Sequence, residues 1–279
     1  MGVLIALAAA AVYGAGDFFG GLATKRDSVF TVVPLTGLFG LATALLAVPL
    51  LSPGPPSARD LELGAFVGLF GGIAIACLYR GLAIGSMSVV APITAVIAAV
   101  VPVGYGFIIG ERPSTIAVIG IVLAIGAVAL ISSSSHEDVS GQAEPQRAGL
   151  VEAFAAGIGF GLLYVVLSQT SRGMWPLVAA RVVSVASVGA VALALRRFTV
   201  PAPKSLRTMA WSGMLDMGGN ILYLLSLRYT FISVAAVITS LYPASTVMLA
   251  RLVLGERLGR LQWLGVGCAA IGIALIARG

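Results

Sequence analysis

The chain has 279 residues, of which 59% are hydrophobic and 10% are charged, with a mean hydropathy of +1.04 and a net charge of +6. Soluble domains carry about 25% charged residues, so this composition excludes a soluble globular protein and predicts one that lives in a bilayer. Nucleic-acid binding needs Lys and Arg gathered on one face, whereas here they are scattered singly or in pairs between apolar runs. We therefore expect no nucleic-acid partner.

Ten apolar segments follow one another along the chain. Each is long enough to cross about 30 Å of hydrocarbon, which takes roughly 20 helical residues. Their approximate bounds are 2–23, 29–51, 61–82, 87–109, 114–132, 149–170, 175–195, 206–227, 232–254 and 260–277. Most connections between them are short, so neighbouring helices are expected to be antiparallel. The polar stretch 133–148, which holds the only histidine, is typical of a flexible linker.

The chain also matches itself at an offset of 145 residues. The segment 88–112 has a second copy at 233–257, and both copies end in Gly-Glu-Arg. Alanines and valines coincide by chance in an apolar chain, so the match depends mainly on glycines, threonines and this charged triplet. We therefore predict an all-α integral membrane protein of ten transmembrane helices, arranged as two five-helix repeats, 1–132 and 149–279, with 133–148 as the linker.

Five is an odd number, so the second repeat must enter the membrane from the side opposite to the first. The prediction is thus a pair of inverted-topology repeats, an arrangement that provides a structural basis for alternating access. Lys and Arg are more numerous in the loops after spans one, three, five, seven and nine, which would place that side in the cytoplasm and both termini outside. Several of these arginines lie at span ends, so the side of the termini stays open.

Several positions that recur in both copies of the repeat have local explanations. Gly110 is expected to end span four, and Glu111 to lie near the positive N-terminus of the following helix. Gly255 and Glu256 are expected to do the same in the second copy. The threonines 94 and 239 are expected to hydrogen-bond their own helices.

The segment 78–82, Leu-Tyr-Arg-Gly-Leu, leads through Ser88 to the triplet 110–112, and segment 222–227 leads through Ser233 to the triplet 255–257. Together with ten spans in two halves, these motifs resemble the EamA-like transporters of the drug/metabolite transporter superfamily over essentially the entire chain. The resemblance implies a carrier or exporter of small metabolites in the bacterial inner (cytoplasmic) membrane. It also implies a central cavity lined mainly by spans three, four, eight and nine, with faces of spans one and six.

Three ionisable residues lie deep within the predicted spans, namely Asp17, Arg181 and Asp216. Such residues are costly in a membrane and are usually functional. Asp216, Asn220 and Tyr223 are spaced at i, i+4 and i+7 and share one helical face. Inverted-repeat carriers bind substrate near the midplane, so this polar stripe is predicted to bind substrate. Two roles are equally open for Arg181. It could form an internal ion pair with either aspartate, or it could act directly on the substrate.

Four further tyrosines complete the predicted substrate site. Tyr13 lies on the polar stripe of span one, and Tyr164 lies on the corresponding stripe of span six. Tyr79 and Tyr242 are included although packing is the commoner role of a buried tyrosine. Tyr242 is favoured because it precedes Pro243, where the proline frees the backbone.

The predicted function is a secondary transporter that exports small metabolites such as amino acids or related polar and amphipathic solutes. Asp17 and Asp216 are the candidates for proton coupling, since a desolvated carboxylate can take up and release a proton near physiological pH. The expected partners are a small-molecule substrate and the lipid bilayer. Proton coupling and a homodimer are open alternatives.

Two other classes of function are considered. A flippase or scramblase of lipid-linked substrates on the same fold would need a groove open laterally to lipid. A membrane-embedded enzyme is less favoured, because the spans contain no histidine, no cysteine pair and no cluster of metal ligands. We thus expect no catalytic residue, metal or cofactor, and the missing G-x-x-x-x-G-K-[ST] motif excludes ATP-driven pumping by this chain alone.

Overall fold

The structure is a computed structural model that describes residues 1–52, 54–85, 87–132, 149–171, 173–254 and 260–278. Within those residues the elements of secondary structure are all helices. They are α1 Gly2–Thr24, α2 Val29–Leu51, α3 Ala58–Ile84, α4 Met87–Ile108, α5 Thr115–Ser132, α6 Leu150–Ser168, α7 Trp175–Ala194, α8 Pro203–Ser226, α9 Ile232–Thr239, α10 Tyr242–Leu254 and α11 Arg260–Arg278. These bounds closely follow the predicted spans, while the predicted linker 133–148 lies outside the described residues.

The ninth predicted span is divided into two helices. α9 ends at Thr239 and α10 begins at Tyr242, so Ser240 and Leu241 separate them. Pro243 follows directly, and a proline lacks the N–H group that a continuous helix would need there. The same ring is favourable in the first turn of a new helix, which explains why α10 begins at this point.

The outside of the bundle is apolar. Leu46 is 78% exposed and Ile108 is 84% exposed, and many other large aliphatic side chains share this position. Extended apolar surfaces of this kind are rare on soluble monomers. By length and composition, α1, α2, α3, α6 and α7 can each cross a membrane, and shorter apolar segments lie within the remaining part of the described chain. The protein is therefore a multi-pass membrane protein.

Glycines allow the helices of the two halves to approach closely, as small residues do in membrane proteins. A Cβ atom on Gly68 of α3 would lie 2.3 Å from the carbonyl oxygen of Ala180 in α7. A Cβ atom on Gly14 of α1 would lie 2.3 Å from the carbonyl oxygen of Tyr242 in α10. Backbone thus packs directly on backbone between the halves.

The halves interlock and do not form two separate bundles. α1 packs on α8, and α6 packs on α3. Similarly, α3 packs on α7 and α2 on α8, while α4 packs on α6 and α1 on α9 and α10. A third set joins α2 with α7, α4 with α9 and α5 with α11. The space near the centre is therefore bounded by helices from both halves.

The α4–α5 turn differs from its prediction in one respect. Gly110 has a positive φ of 88°, and Glu111 N donates to Gly106 O at 2.9 Å, so the glycine ends α4 as predicted. The Glu111 carboxylate, however, accepts from the backbone N–H groups of Ile232 (2.8 Å) and Ser233 (3.1 Å) at the start of α9. The expectation that it would cap the following helix is wrong.

The reason lies in the turn itself and in the packing of α4. The Ser114 hydroxyl already accepts from Ala117 N (3.1 Å) at the start of α5. Since α4 packs beside α9, the carboxylate reaches the uncapped first turn of α9. The corresponding triplet 255–257 lies outside the described residues.

The repeat threonines also differ from their prediction. Thr94 Oγ1 donates across the interface to Ala153 O of α6 at 3.2 Å and not to its own helix. Its counterpart Thr239 is fully buried, and within the described chain its Oγ1 has no hydrogen-bond partner. These two threonines, 145 residues apart, are therefore in different environments.

Candidate functional site

A cavity of about 60 Å³ lies between the two halves. Most of the predicted site residues line it, from α1, α6, α7, α8 and α10: Tyr13, Asp17, Tyr164, Arg181, Asp216, Asn220 and Tyr242. The rest of the wall is mainly apolar or glycine: Val67, Gly68, Gly71, Gly72, Ile75, Phe160, Leu163, Leu177, Ala180 and Ser184. Helices from both halves thus bring residues that are distant in sequence to one place.

The lining helices are not all the expected ones. Among the described residues that line the cavity, α7 contributes four and α4 contributes none. α4 lies behind α6, because a Cβ atom on Gly157 or Gly161 of α6 would come within 2.6 Å of Ile97 or 2.5 Å of Val101. α7 reaches the cavity because it packs closely on the glycines of α3. The expectation of span four as a wall is corrected accordingly.

Arg181 and Asp216 form an ion pair on the cavity wall, through Nη2 and Oδ2. The two side chains are only 16% and 13% exposed. The guanidinium also packs against α2, where a Cβ atom on Gly40 would lie 3.3 Å from Arg181 Nε. Of the two aspartates open to Arg181 in the sequence, the structure pairs it with Asp216, and the two opposite charges compensate each other.

Asp17 is in a different situation. It is 6% exposed and lines the same cavity. Within the described part of the chain its carboxylate has neither a hydrogen bond nor a salt bridge. Its electrostatic neighbours include the phenols of Tyr13, Tyr79, Tyr164 and Tyr242. Asp17 is thus a buried carboxylate with no compensating charge in the described structure.

Tyr79 and Tyr223 are predicted site residues that lie behind the cavity wall. The Tyr79 hydroxyl lies 2.9 Å from Ser212 Oγ, which in turn donates to Gly16 O at 2.9 Å. This chain of hydrogen bonds joins α3, α8 and α1. Tyr223 is fully buried, donates to Tyr164 O at 3.3 Å and stacks on the Tyr164 ring with centroids 4.5 Å apart. Tyr223 thus supports Tyr164, which lines the cavity, whereas Tyr79 ties together three helices beside it.

Asn220 and Tyr242 line the cavity and also make structural hydrogen bonds. Asn220 Nδ2 donates to Asp216 O at 2.9 Å, within α8. The Tyr242 hydroxyl donates to Ala91 O of α4 at 3.1 Å. The second bond holds the start of α10 against the first half of the chain.

The sequence reasoning did not select Ser184 and Phe160, which also line the cavity. Helical spacing could have found both, because residues three or four apart share a face. Ser184 follows Arg181 by three residues, and Phe160 precedes Tyr164 by four. The aromatic character of the wall was therefore underestimated.

This fold, with membrane-crossing helices from two halves around a buried cavity, is that of a multi-pass membrane protein. A sequence model of the EamA-like transporter family matches residues 1–133 and 147–278. The chain therefore belongs to the EamA-like transporter family, within the drug/metabolite transporter superfamily. The members of this family are transporters and not enzymes.

Two further similarities agree with this assignment. Protein RarD from Streptomyces exfoliatus is 31% identical over 141 residues, which is 48% of this chain and 45% of that protein. The match thus spans about half the length of the curated relative. A solved crystal structure, described only as that of a protein, has a TM-score of 0.76 and 16% identity, with 98% of this chain and 95% of that chain covered. At this identity the likeness shows the fold alone.

Proposed function

We propose that this chain is a secondary transporter that exports small metabolites across the bacterial inner membrane by alternating access between two inverted repeats. Amino acids and related polar or amphipathic solutes are the proposed substrates. The observation that carries the proposal is the buried cavity, where polar residues of both halves meet between helices that pack across the halves. Substrate sites of inverted-repeat carriers lie at such an interface.

The positions of the helices support the inverted-repeat arrangement. The offset of 145 residues maps the first residues of α3, α4 and α5 (58, 87 and 115) onto those of α8, α9 and α11 (203, 232 and 260). The packing pairs also persist when the halves are exchanged: α1 with α8 becomes α6 with α3, and α3 with α7 becomes α8 with α2. Such exchange is expected for two repeats related by a pseudo-two-fold axis.

The departures from this symmetry support alternating access. Thr94 bonds Ala153 of α6, whereas the equivalent Thr239 has no partner among the described residues. By the repeat, the acceptor corresponding to Ala153 is the carbonyl of Ala8 in α1. Exchange of these environments between the halves would give the opposite conformation, in which Thr239 bonds Ala8 and Thr94 is free.

The cavity must enlarge to admit a metabolite. Its volume of about 60 Å³ is well below the roughly 300–1,000 Å³ of typical ligand pockets.

Proton coupling is proposed for Asp17 in preference to Asp216. The Asp216 carboxylate is held in the ion pair with Arg181, whereas Asp17 has no such partner among the described residues. A desolvated, unpaired carboxylate is the group whose protonation responds most readily to its surroundings. Exchange of a proton for substrate would therefore take place on α1.

Counterflow in liposomes tests the function directly. Purified protein is reconstituted with an internal pool of unlabelled amino acids and metabolites, and uptake of labelled solutes is followed with and without a pH gradient. We expect saturable uptake of one solute class, which Asn220→Ala reduces and Glu62→Gln, on the exposed start of α3, leaves unchanged. No flux of any soluble solute, together with movement of fluorescent lipids between leaflets, would overturn the proposal in favour of a flippase.

A further inference from the structure

We propose that the cavity selects an organic amine with an apolar body, and that Asp17 binds its ammonium group. This inference rests on the proposed transport function and names the substrate class of the same site. Asp17 is 6% exposed and lines the cavity, and within the described residues it makes no hydrogen bond or ion pair. A buried charge without a partner is costly, so the site favours a ligand that supplies one.

The net charge of the described cavity lining determines the sign of that ligand. Its charged residues are Asp17, Arg181 and Asp216. Arg181 and Asp216 compensate each other in their ion pair. The remaining ionisable group is Asp17, and its carboxylate attracts a cation and repels an anion once it has given up its proton, so an ammonium group binds in exchange for that proton.

The remaining wall matches an apolar or aromatic body. Tyr13, Phe160, Tyr164 and Tyr242 line the cavity, together with aliphatic side chains from α3, α6 and α7. Aromatic rings attract organic cations through their π faces, most strongly in desolvated sites. A strongly hydrated inorganic cation would find few oxygen ligands on such a wall, whereas an alkyl- or arylammonium ion would bury its apolar part.

The ion pair also disfavours a carboxylate on the ligand. A zwitterionic amino acid needs a free cation for its carboxylate, and the cation of the described lining, Arg181, is already bound by Asp216. Binding of the carboxylate would require that ion pair to break. We therefore expect amines to bind more tightly than the amino acids of the same side chain.

Binding of four small probes to the purified full chain in detergent tests this inference. The probes are phenethylamine, phenylalanine, 2-phenylethanol and phenylacetate, which share an aromatic ring and differ in charge. At pH 7, calorimetric titration should rank phenethylamine first and phenylacetate last. Asp17→Asn should weaken phenethylamine binding by on the order of tenfold or more and leave 2-phenylethanol binding unchanged.

Glu62→Gln is the matched control, because it removes the same charge at an exposed position on α3 outside the cavity lining. It should retain wild-type affinities. The thermal unfolding midpoint of Asp17→Asn, measured in parallel, verifies that the variant is folded. Equal binding of phenethylamine and 2-phenylethanol to the wild type would overturn the inference, as would tighter binding of phenylalanine than of phenethylamine.

The counterflow assay separates failure of this inference from failure of the transport proposal. Transport of soluble metabolites without any preference for amines would overturn the amine selectivity and leave the carrier intact. The absence of transport of any soluble solute would overturn the carrier itself. Counterflow of labelled phenethylamine that Asp17→Asn abolishes supports both.

Discussion

Asp60 and Ser205 occupy equivalent positions in the two halves, 145 residues apart at the first turns of α3 and α8, and each bonds a loop of the other half. Asp60 Oδ1 accepts from Ser171 N, between α6 and α7, at 2.9 Å. Ser205 Oγ donates to the Asp27 carboxylate, between α1 and α2. The carboxylate thus lies on the helix in the first contact and in the loop in the second. In the proposed arrangement of inverted repeats, these two contacts would lie at opposite faces of the membrane.

The two contacts should bias alternating access in opposite directions. Hydrogen bonds to a charged group contribute about 1.5–3 kcal/mol, so Asp60→Asn and Asp27→Asn should each favour opening of their own face by several-fold. A single cysteine at the cavity position Ser184, in a background with Cys77→Ala and Cys268→Ala, reports access. An impermeant maleimide is added to one side of the membrane or to the other, and the two labelling rates of this cysteine are compared. Their ratio should rise for one aspartate variant and fall for the other.

Glu62→Gln is the control for loss of a carboxylate on α3, and it should leave the labelling ratio at its wild-type value. A shift in the same direction for both aspartate variants would contradict the assignment of the contacts to opposite faces.

Thr94 and Thr239 should respond differently to the same substitution. Thr94→Val removes a hydrogen bond to Ala153 and should lower the free energy of unfolding by about 1 kcal/mol. Thr239→Val removes a buried hydroxyl that has no partner among the described residues and should be neutral or stabilising by about 1 kcal/mol. Both values are measured by denaturant or thermal unfolding in detergent.

Under alternating access Thr239→Val should nevertheless slow counterflow, because the hydroxyl is needed in the opposite conformation. A variant that is destabilised as strongly as Thr94→Val would contradict the asymmetry between the repeats.

Gly68 and Gly189 provide a matched test of helix packing. A Cβ atom on Gly68 would meet the rigid backbone of Ala180 at 2.3 Å, whereas nothing lies within 4 Å of a Cβ atom on Gly189. Gly68→Ala should therefore destabilise the protein by about 1–3 kcal/mol through overpacking. Gly189→Ala, in the middle of α7, should stabilise it by about 0.5–1 kcal/mol, since alanine is the better helix former. Thermal unfolding compares the two, and similar midpoints would contradict the close approach of α3 and α7.

Arg181 and Asp216 should be energetically coupled. Removal of one partner leaves the other charge buried, so Arg181→Gln or Asp216→Asn alone should each cost about 3 kcal/mol. The double variant leaves no unpaired charge at this position and should recover much of the loss. A double-mutant cycle on unfolding free energies measures the coupling, which we expect to be about 2 kcal/mol. Additive losses in the double variant would contradict the ion pair.

Several features of the molecule could be predicted from the sequence because they depend on local patterns. The length of each apolar run determines where a helix can cross a bilayer, and α2 begins and ends where the prediction placed it. The glycine at position 110 ends α4 as expected, since few other residues adopt its positive φ. The segment 232–254, in contrast, was predicted as one span, whereas the structure divides it into α9 and α10 just before Pro243. Most of the candidate site residues lie on the cavity because polar groups are rare in these spans.

Contacts between distant helices could not be predicted in this way. The sequence did not decide which of two aspartates pairs with Arg181, and the structure shows that it is Asp216. It also predicted that Glu111 lies at the N-terminus of α5, whereas its carboxylate binds the start of α9. Both outcomes depend on which helices meet and how each is rotated, and those crossings are determined by glycines packing on the backbones of other helices.

By itself, the sequence determined that this protein is a membrane protein with a few polar groups inside its apolar spans, because hydrophobic length is a property of the chain alone. Only the tertiary structure decided that Arg181 is compensated by Asp216 while Asp17 has no partner among the described residues. The physical reason is that the reach of a side chain is short compared with the distance between helices, so ion pairing follows helix packing.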